Sequence, residues 1–191
     1  MSDEPDFEDM LPTMKKAAGA LRDADVPFLL TGGLAAWALG GPESDHDVDF
    51  LLKREDADRA LDVLEKAGMR PDRPPEGWLY KAWDGDVFVD LIFHPTGMEV
   101  TDETIERGHD MQVYATPMRV AALEDILVTK LLSINDQEID YGSVVAMARA
   151  VREQVDWDDV RRRTAESPYA KAFFTLVEEL GVVPRAEARP E

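Results

Sequence analysis

Phe28-Leu29-Leu30-Thr31-Gly32-Gly33, followed by His46-Asp47-Val48-Asp49-Phe50-Leu51-Leu52, is the stretch whose reading decides the fold. The first segment is an apolar run ending on two glycines, the pattern of a buried strand that turns sharply. Leu34–Leu39 between the two segments reads as a short helix, stopped by Gly40-Gly41-Pro42. The second segment reads as a strand over 47–52. Side chains at i and i+2 of a strand share a face, so Asp47 and Asp49 project together while Val48 and Phe50 pack behind them. Two adjacent carboxylates repel unless a cation lies between them. An all-oxygen site suits a hard divalent ion, Mg²⁺ or its substitute Mn²⁺.

A third carboxylate follows in Val87-Phe88-Val89-Asp90-Leu91-Ile92-Phe93, a run otherwise wholly apolar. A charge there is costly unless it is paired or binds a metal. If this strand lies beside 47–52, Asp90 joins Asp47 and Asp49, and three carboxylates on adjacent strands make a two-metal site for phosphoryl chemistry. The plainer reading of Asp90 is an ion pair with an arginine. Gly32 and Gly33 fit the same scheme, because they free backbone N–H groups at a helix start to receive a triphosphate.

The other elements extend outward from this centre. Leu11–Ala24 has helical periodicity, and so does Glu55–Ala67, ended by Gly68. Pro71–Gly77 reads as a loop. Asp84-Gly85-Asp86 between the runs 78–83 and 87–93 signals a hairpin. Thr101–Arg107 reads as a short helix and Met111–Ala115 as a strand. Beyond Pro117 the pattern turns helical, over 122–134, 141–155, 156–165 and 167–180. The expected organisation is an acidic tail (1–10), a core with sheet and helices (11–116), a helical subdomain (117–183) and a second tail (184–191). The tryptophans Trp37, Trp78 and Trp83 read as core.

Composition narrows the function further. The chain has 191 residues, no cysteine and a formal charge of −19. Thiolate metal sites and disulfides are thereby excluded. The acidity argues against generic binding to nucleic-acid backbones and favours a cationic acceptor. No apolar run reaches membrane-spanning length and the N-terminus is acidic, so the expected location is the cytoplasm.

The combination of Gly32-Gly33, Asp47-Val48-Asp49 and Asp90 resembles the nucleotidyltransferases of the DNA polymerase beta superfamily. A second segment, Ala122-Leu123-Glu124-Asp125-Ile126-Leu127-Val128-Thr129-Lys130-Leu131-Leu132 with Asp140 after it, is similar to the helical part of small bacterial members, among them the MenT/AbiEii-type toxins. The resemblance implies an α+β nucleotidyltransferase fold, a small mixed sheet flanked by helices, followed by a C-terminal helical bundle. It implies transfer of a nucleoside monophosphate from an NTP to an acceptor hydroxyl, with Mg²⁺ or Mn²⁺ and release of pyrophosphate. By the same likeness Lys130 holds the nucleotide phosphates and Asp140 belongs to the site, although Asp140 also reads as a helix N-cap and Lys130 as a surface lysine. Relatives carry Thr and a basic residue before the first aspartate; this chain has Ser44-Asp45-His46, so His46 would offset the added acid. His94 could face the same cleft. The expected partners are an NTP, an acceptor (small molecule, protein or RNA), and an antitoxin or other protein partner. The rival readings are a non-catalytic member of a toxin–antitoxin pair and a metal-dependent nuclease.

Overall fold

The computed structural model describes residues 7–43 and 47–185. In chain order the elements are α1 (Phe7–Asp23), β1 (Leu29–Thr31), α2 (Gly32–Ala38), β2 (Val48–Leu51), α3 (Ala57–Lys66), β3 (Arg70–Asp72), β4 (Leu79–Asp84) and β5 (Val87–Ile92). These are followed by α4 (Asp102–Glu106), β6 (His109–Val113), β7 (Thr116–Val120), α5 (Leu123–Ser133), α6 (Tyr141–Val151), α7 (Trp157–Arg163) and α8 (Pro168–Glu179). Among the described residues seven strands form one mixed sheet in the order β3-β4-β5-β2-β1-β7-β6. The expected α+β architecture is therefore present: a mixed sheet with helices, then a helical C-terminal part.

Helices α1 and α3 pack on one face of the sheet, against β5 and its neighbours. Val48, Phe50, Val89 and Leu91 are fully buried there. Strand alternation sends Asp49, Leu51, Asp90 and Ile92 to the opposite face, which α2 partly covers. The apolar series Met10, Met14, Ala17, Ala18 and Leu21 buries α1. That series begins before Leu11, so α1 starts at Phe7, inside the stretch expected to be tail.

Two strands escape the sequence reading. β3 contains Pro71 and pairs only with β4, at the sheet edge, where a missing N–H costs no ladder bond. β7 pairs antiparallel with β6 and parallel with β1, and it straddles the domain boundary expected at 116/117. The β6–β7 turn is Tyr114-Ala115, with φ of 50° and 62°. Such turns normally carry Asn or Gly, so the residues give no turn signal. The β4–β5 hairpin does form where expected, with Gly85 at φ 66°.

The helical part is tied to the sheet by a buried charge. Asp125, near the start of α5, is 2% exposed and accepts hydrogen bonds from Arg107 after α4 (3.0 Å) and Arg163 of α7 (2.6 Å). Arg163 also reaches Asp159 at 3.1 Å. With both guanidiniums in place the carboxylate's lone pairs are satisfied, the condition for burying a charge.

Candidate active site

The parallel pairing of β2 with β5 sets Asp49 directly opposite Asp90, and the antiparallel pairing of β1 with β2 sets Thr31 opposite Asp49. The chain then leaves β1 through Gly32, at φ 65°. A Cβ at Gly32 would lie 1.9 Å from Asp49 Oδ2. The glycine is thus required twice, by its left-handed backbone and by the carboxylate against its Cα. Thr31, the N-cap of α2, makes no side-chain cap bond.

Thr31, Gly32 and Asp49 open onto a cleft of about 510 Å³, whose lining does not include Asp90. One wall holds Thr31, Gly32, Gly33, Asp47, Asp49 and Leu51. Ile92, Trp78, His94, Pro95 and Thr96 extend it. The other wall is α5, through Ile126, Thr129, Lys130 and Ser133. Asp47, Asp49, Gly32, Gly33 and Lys130 are therefore brought together, as the sequence reading expected, and His94 faces the same space.

Asp49 is strongly perturbed. Desolvation, then the charges of Asp90 and Asp47, push its pKa up to about 8, against the pull of Lys81 and Lys130. Desolvation also raises Asp90, opposed by its hydrogen bond and charge interaction with Lys81. An all-oxygen pair whose charges repel in a desolvated setting fits a hard divalent cation, which would relieve both the repulsion and the burial cost. Asp90 differs from the pair: its carboxylate is engaged by Lys81 Nζ, at 2.8 and 3.1 Å. Among the described residues no group of three His, Asp or Glu side chains is arranged to hold a metal ion.

Asp140 stands apart from the lining of the cleft. It is the exposed N-cap of α6, accepting from Ser143 N at 3.2 Å, and the Ser143 hydrogen bonds hold it below the usual carboxylate range. His46 lies outside the described residues. Trp78 corrects the expectation of a core tryptophan: it is 42% exposed and lines the cleft. Lys81 was missed, because a lysine in the alternating pattern of β4 reads as solvent-facing. Only the β4–β5 register reveals its partner, by setting it opposite Asp90.

Residues 10–173 match the family model described as nucleotidyl transferase of unknown function (DUF2204). The chain belongs to this family. The fold of this nucleotidyl transferase recurs in solved structures at low sequence identity. ANT(2")-Ia, crystallised in complex with adenylyl-2"-tobramycin, is 15% identical with a TM-score of 0.62, over 85% of this chain and 97% of that one. JHP933 from Helicobacter pylori is 18% identical with a TM-score of 0.56, over 92% of this chain and 78% of that one. A putative nucleotidyltransferase from Thermotoga maritima is 15% identical with a TM-score of 0.54, over 68% of this chain and 87% of that one. Among curated proteins, "Glutamate--tRNA ligase 2" of Rhizorhabdus wittichii is 33% identical over 124 residues, 59% of this chain and 24% of that protein. The chain thus spans about a quarter of that relative's length. Among the described residues no helix is long and apolar enough to cross a membrane.

Proposed function

We propose that the cleft transfers a nucleoside monophosphate from an NTP to an acceptor hydroxyl. The observation that carries this reading is the Asp49–Asp90 register beside Gly32, with Asp47 and Lys130 lining the same cleft. Lys130 and the N–H groups after Thr31 receive the triphosphate, whose charge the α2 start favours. Asp47 and Asp49 are the residues that would hold Mg²⁺ or Mn²⁺, with Asp90 the third carboxylate of the site. A bound divalent ion would neutralise phosphate charge and orient the α-phosphorus.

The chain's own groups do the rest. Asp90 takes the proton of the acceptor hydroxyl. The acceptor oxygen bonds to the α-phosphorus, and the bond to the β-phosphate oxygen breaks. Pyrophosphate leaves with that electron pair. Leu51, Ile92 and Trp78 supply an apolar wall that limits water as a competing acceptor.

The acceptor class follows from the test. The full chain is incubated with each α-³²P NTP and Mg²⁺ or Mn²⁺, against an aminoglycoside panel, total tRNA and cell protein. Label on one acceptor class that is lost in Asp49→Asn supports the reading. Absence of label with every acceptor, together with absence of NTP-dependent stabilisation, sinks it. The latter result would favour the rival, a non-catalytic partner in a toxin–antitoxin pair. That rival gives no role to Asp47 and Asp49 lining one cleft, with Asp90 in register beside Asp49.

A further inference from the structure

Trp78, just before β4, is 42% exposed and lines the cleft. Its backbone is pinned: the carbonyl accepts hydrogen bonds from Phe93 N and His94 N, both at 3.1 Å. Its ring is not. Among the described residues the Trp78 indole packs on no other ring and under no cation, whereas Trp83 packs on Phe88 and Trp157 on Phe174. A large apolar face held in place and left bare is ready to be covered by a flat ligand at little ordering cost.

Strand register gives the cleft a direction. Gly32 and Gly33 follow Thr31, which stands opposite Asp49, so they lie toward the start of β2. Trp78 lies the other way. Leu51 is opposite Ile92, Ile92 is opposite Leu79, and Trp78 comes next, level with Phe93. From Asp90 to Phe93 the chain advances roughly 10 Å along the strand. An NTP is elongated in the same sense. With its reacting α-phosphate at Asp47 and Asp49, and its outer phosphates at the glycine pair and Lys130, the ribose and base extend past Leu51 and Ile92 toward Trp78. Around Trp78 the described lining is Leu51, Ile92, His94, Pro95 and Thr96, with no carboxylate, side-chain amide or guanidinium to make the paired hydrogen bonds that read a base edge. A stacking face accepts every base, the larger rings more strongly. Resting on the nucleotidyltransferase reading above, we propose that Trp78 is the platform on which the base of the NTP stacks, and that the cleft selects nucleotides by ring area, purines over pyrimidines.

The test is calorimetric titration of the full chain, in Mg²⁺ and without acceptor, with ATP, GTP, CTP, UTP and inorganic tripolyphosphate. Wild type should bind ATP and GTP alike, and both more tightly than CTP or UTP. Trp78→Ala should weaken ATP binding by roughly 10–100-fold and leave tripolyphosphate binding unchanged. Trp78→Phe should keep most of the ATP affinity. In transfer assays Trp78→Ala should raise KM for the NTP by a like factor and leave KM for the acceptor unchanged. Unchanged ATP binding in Trp78→Ala overturns the proposal and leaves the transferase reading standing. So does a rise confined to the acceptor's KM, which would set the acceptor against the ring. Equal losses for ATP and tripolyphosphate also overturn it, because they report a collapsed cleft. A wild type that takes one NTP and rejects the other three overturns selection by ring area. If Trp78→Ala does not fold, Trp78→Leu, apolar but without a ring face, takes its place. A wild type that binds neither ATP nor tripolyphosphate overturns the transferase reading, and this inference with it.

Discussion

Replacing Asp49 by Asn should stabilise the metal-free protein, and increasingly so as pH rises. In the folded chain burial and two neighbouring carboxylates push Asp49 up to about 8, from an ordinary 3.8. An acid with a raised folded pKa binds more protons folded than unfolded between those two values. Its destabilisation is absent below about pH 4, sets in as pH rises, and is complete above about pH 8. At 1.36 kcal/mol for each pKa step the full effect has a ceiling of about 6 kcal/mol. The side chain lies at the cleft and is only part-buried, so solvent screening lowers this, and about 2–3 kcal/mol of it should develop between pH 5.5 and 8.5. Asn keeps the shape and removes the charge, so the variant lacks this pH-dependent loss.

The assay is urea unfolding of both proteins in EDTA at pH 5.5, 7.0 and 8.5, with unfolding slopes checked for equality. The stability difference, variant minus parent, should grow with pH by the amount above. Adding Mg²⁺ should then reverse the order, since only the parent gains a ligand. Parallel pH profiles with no growing difference would refute the electrostatic account of the site. A variant less stable than the parent at pH 8.5 would refute it more strongly, because it would make the charge stabilising without metal.

Other consequences follow from named contacts. Gly32→Ala puts a Cβ 1.9 Å from Asp49 Oδ2 at a φ of 65°, so transfer should fall to background and thermal unfolding should show a loss of at least about 1–2 kcal/mol. Lys130→Gln should raise KM for the NTP by roughly tenfold, about 1.4 kcal/mol, while the melting temperature barely moves, because the residue is half-buried at the cleft rather than in the core. Asp125→Ala leaves Arg107 and Arg163 without their shared carboxylate and should cost about 3–5 kcal/mol by denaturant unfolding, with the helical part released first in hydrogen exchange. Replacing Ala115 by Gly relieves a left-handed non-glycine residue while leaving the Tyr114 ring contacts in place, and should stabilise by about 1 kcal/mol in the same assay.

The legible parts of the site were those whose chemistry contradicts their surroundings. An aspartate inside Val87–Phe93 demands an explanation from sequence alone, and so does a glycine pair at the end of a buried run. Their spacing was enough to place Asp49 and Gly32 in one cleft, where a Cβ on Gly32 would meet the Asp49 carboxylate. What stayed hidden depended on cross-strand register. Lys81 sits in a strand whose alternation is consistent with solvent, and nothing local distinguishes it from Lys53 or Lys16. Trp78 looked like core because tryptophan is generally buried, but it closes the β4 end where Phe93 N and His94 N both donate to its carbonyl, and its indole faces the cleft.

The same logic bears on Asp90, expected as a metal ligand or base with an arginine ion pair as the plainer alternative: the structure gives it an ion pair, but with lysine. Burial dictates that a carboxylate in β5 must have a cationic partner, but the partner's identity is set by what the adjacent strand offers at that register, and β4 offers lysine. The difference has chemical weight. An arginine would clamp the carboxylate through a rigid fork, whereas an ammonium is a point charge on a flexible stem. A carboxylate held by lysine can change partners as an acceptor arrives and its proton moves. The side chain that the sequence pattern made least conspicuous is therefore the one that balances the charge of Asp90.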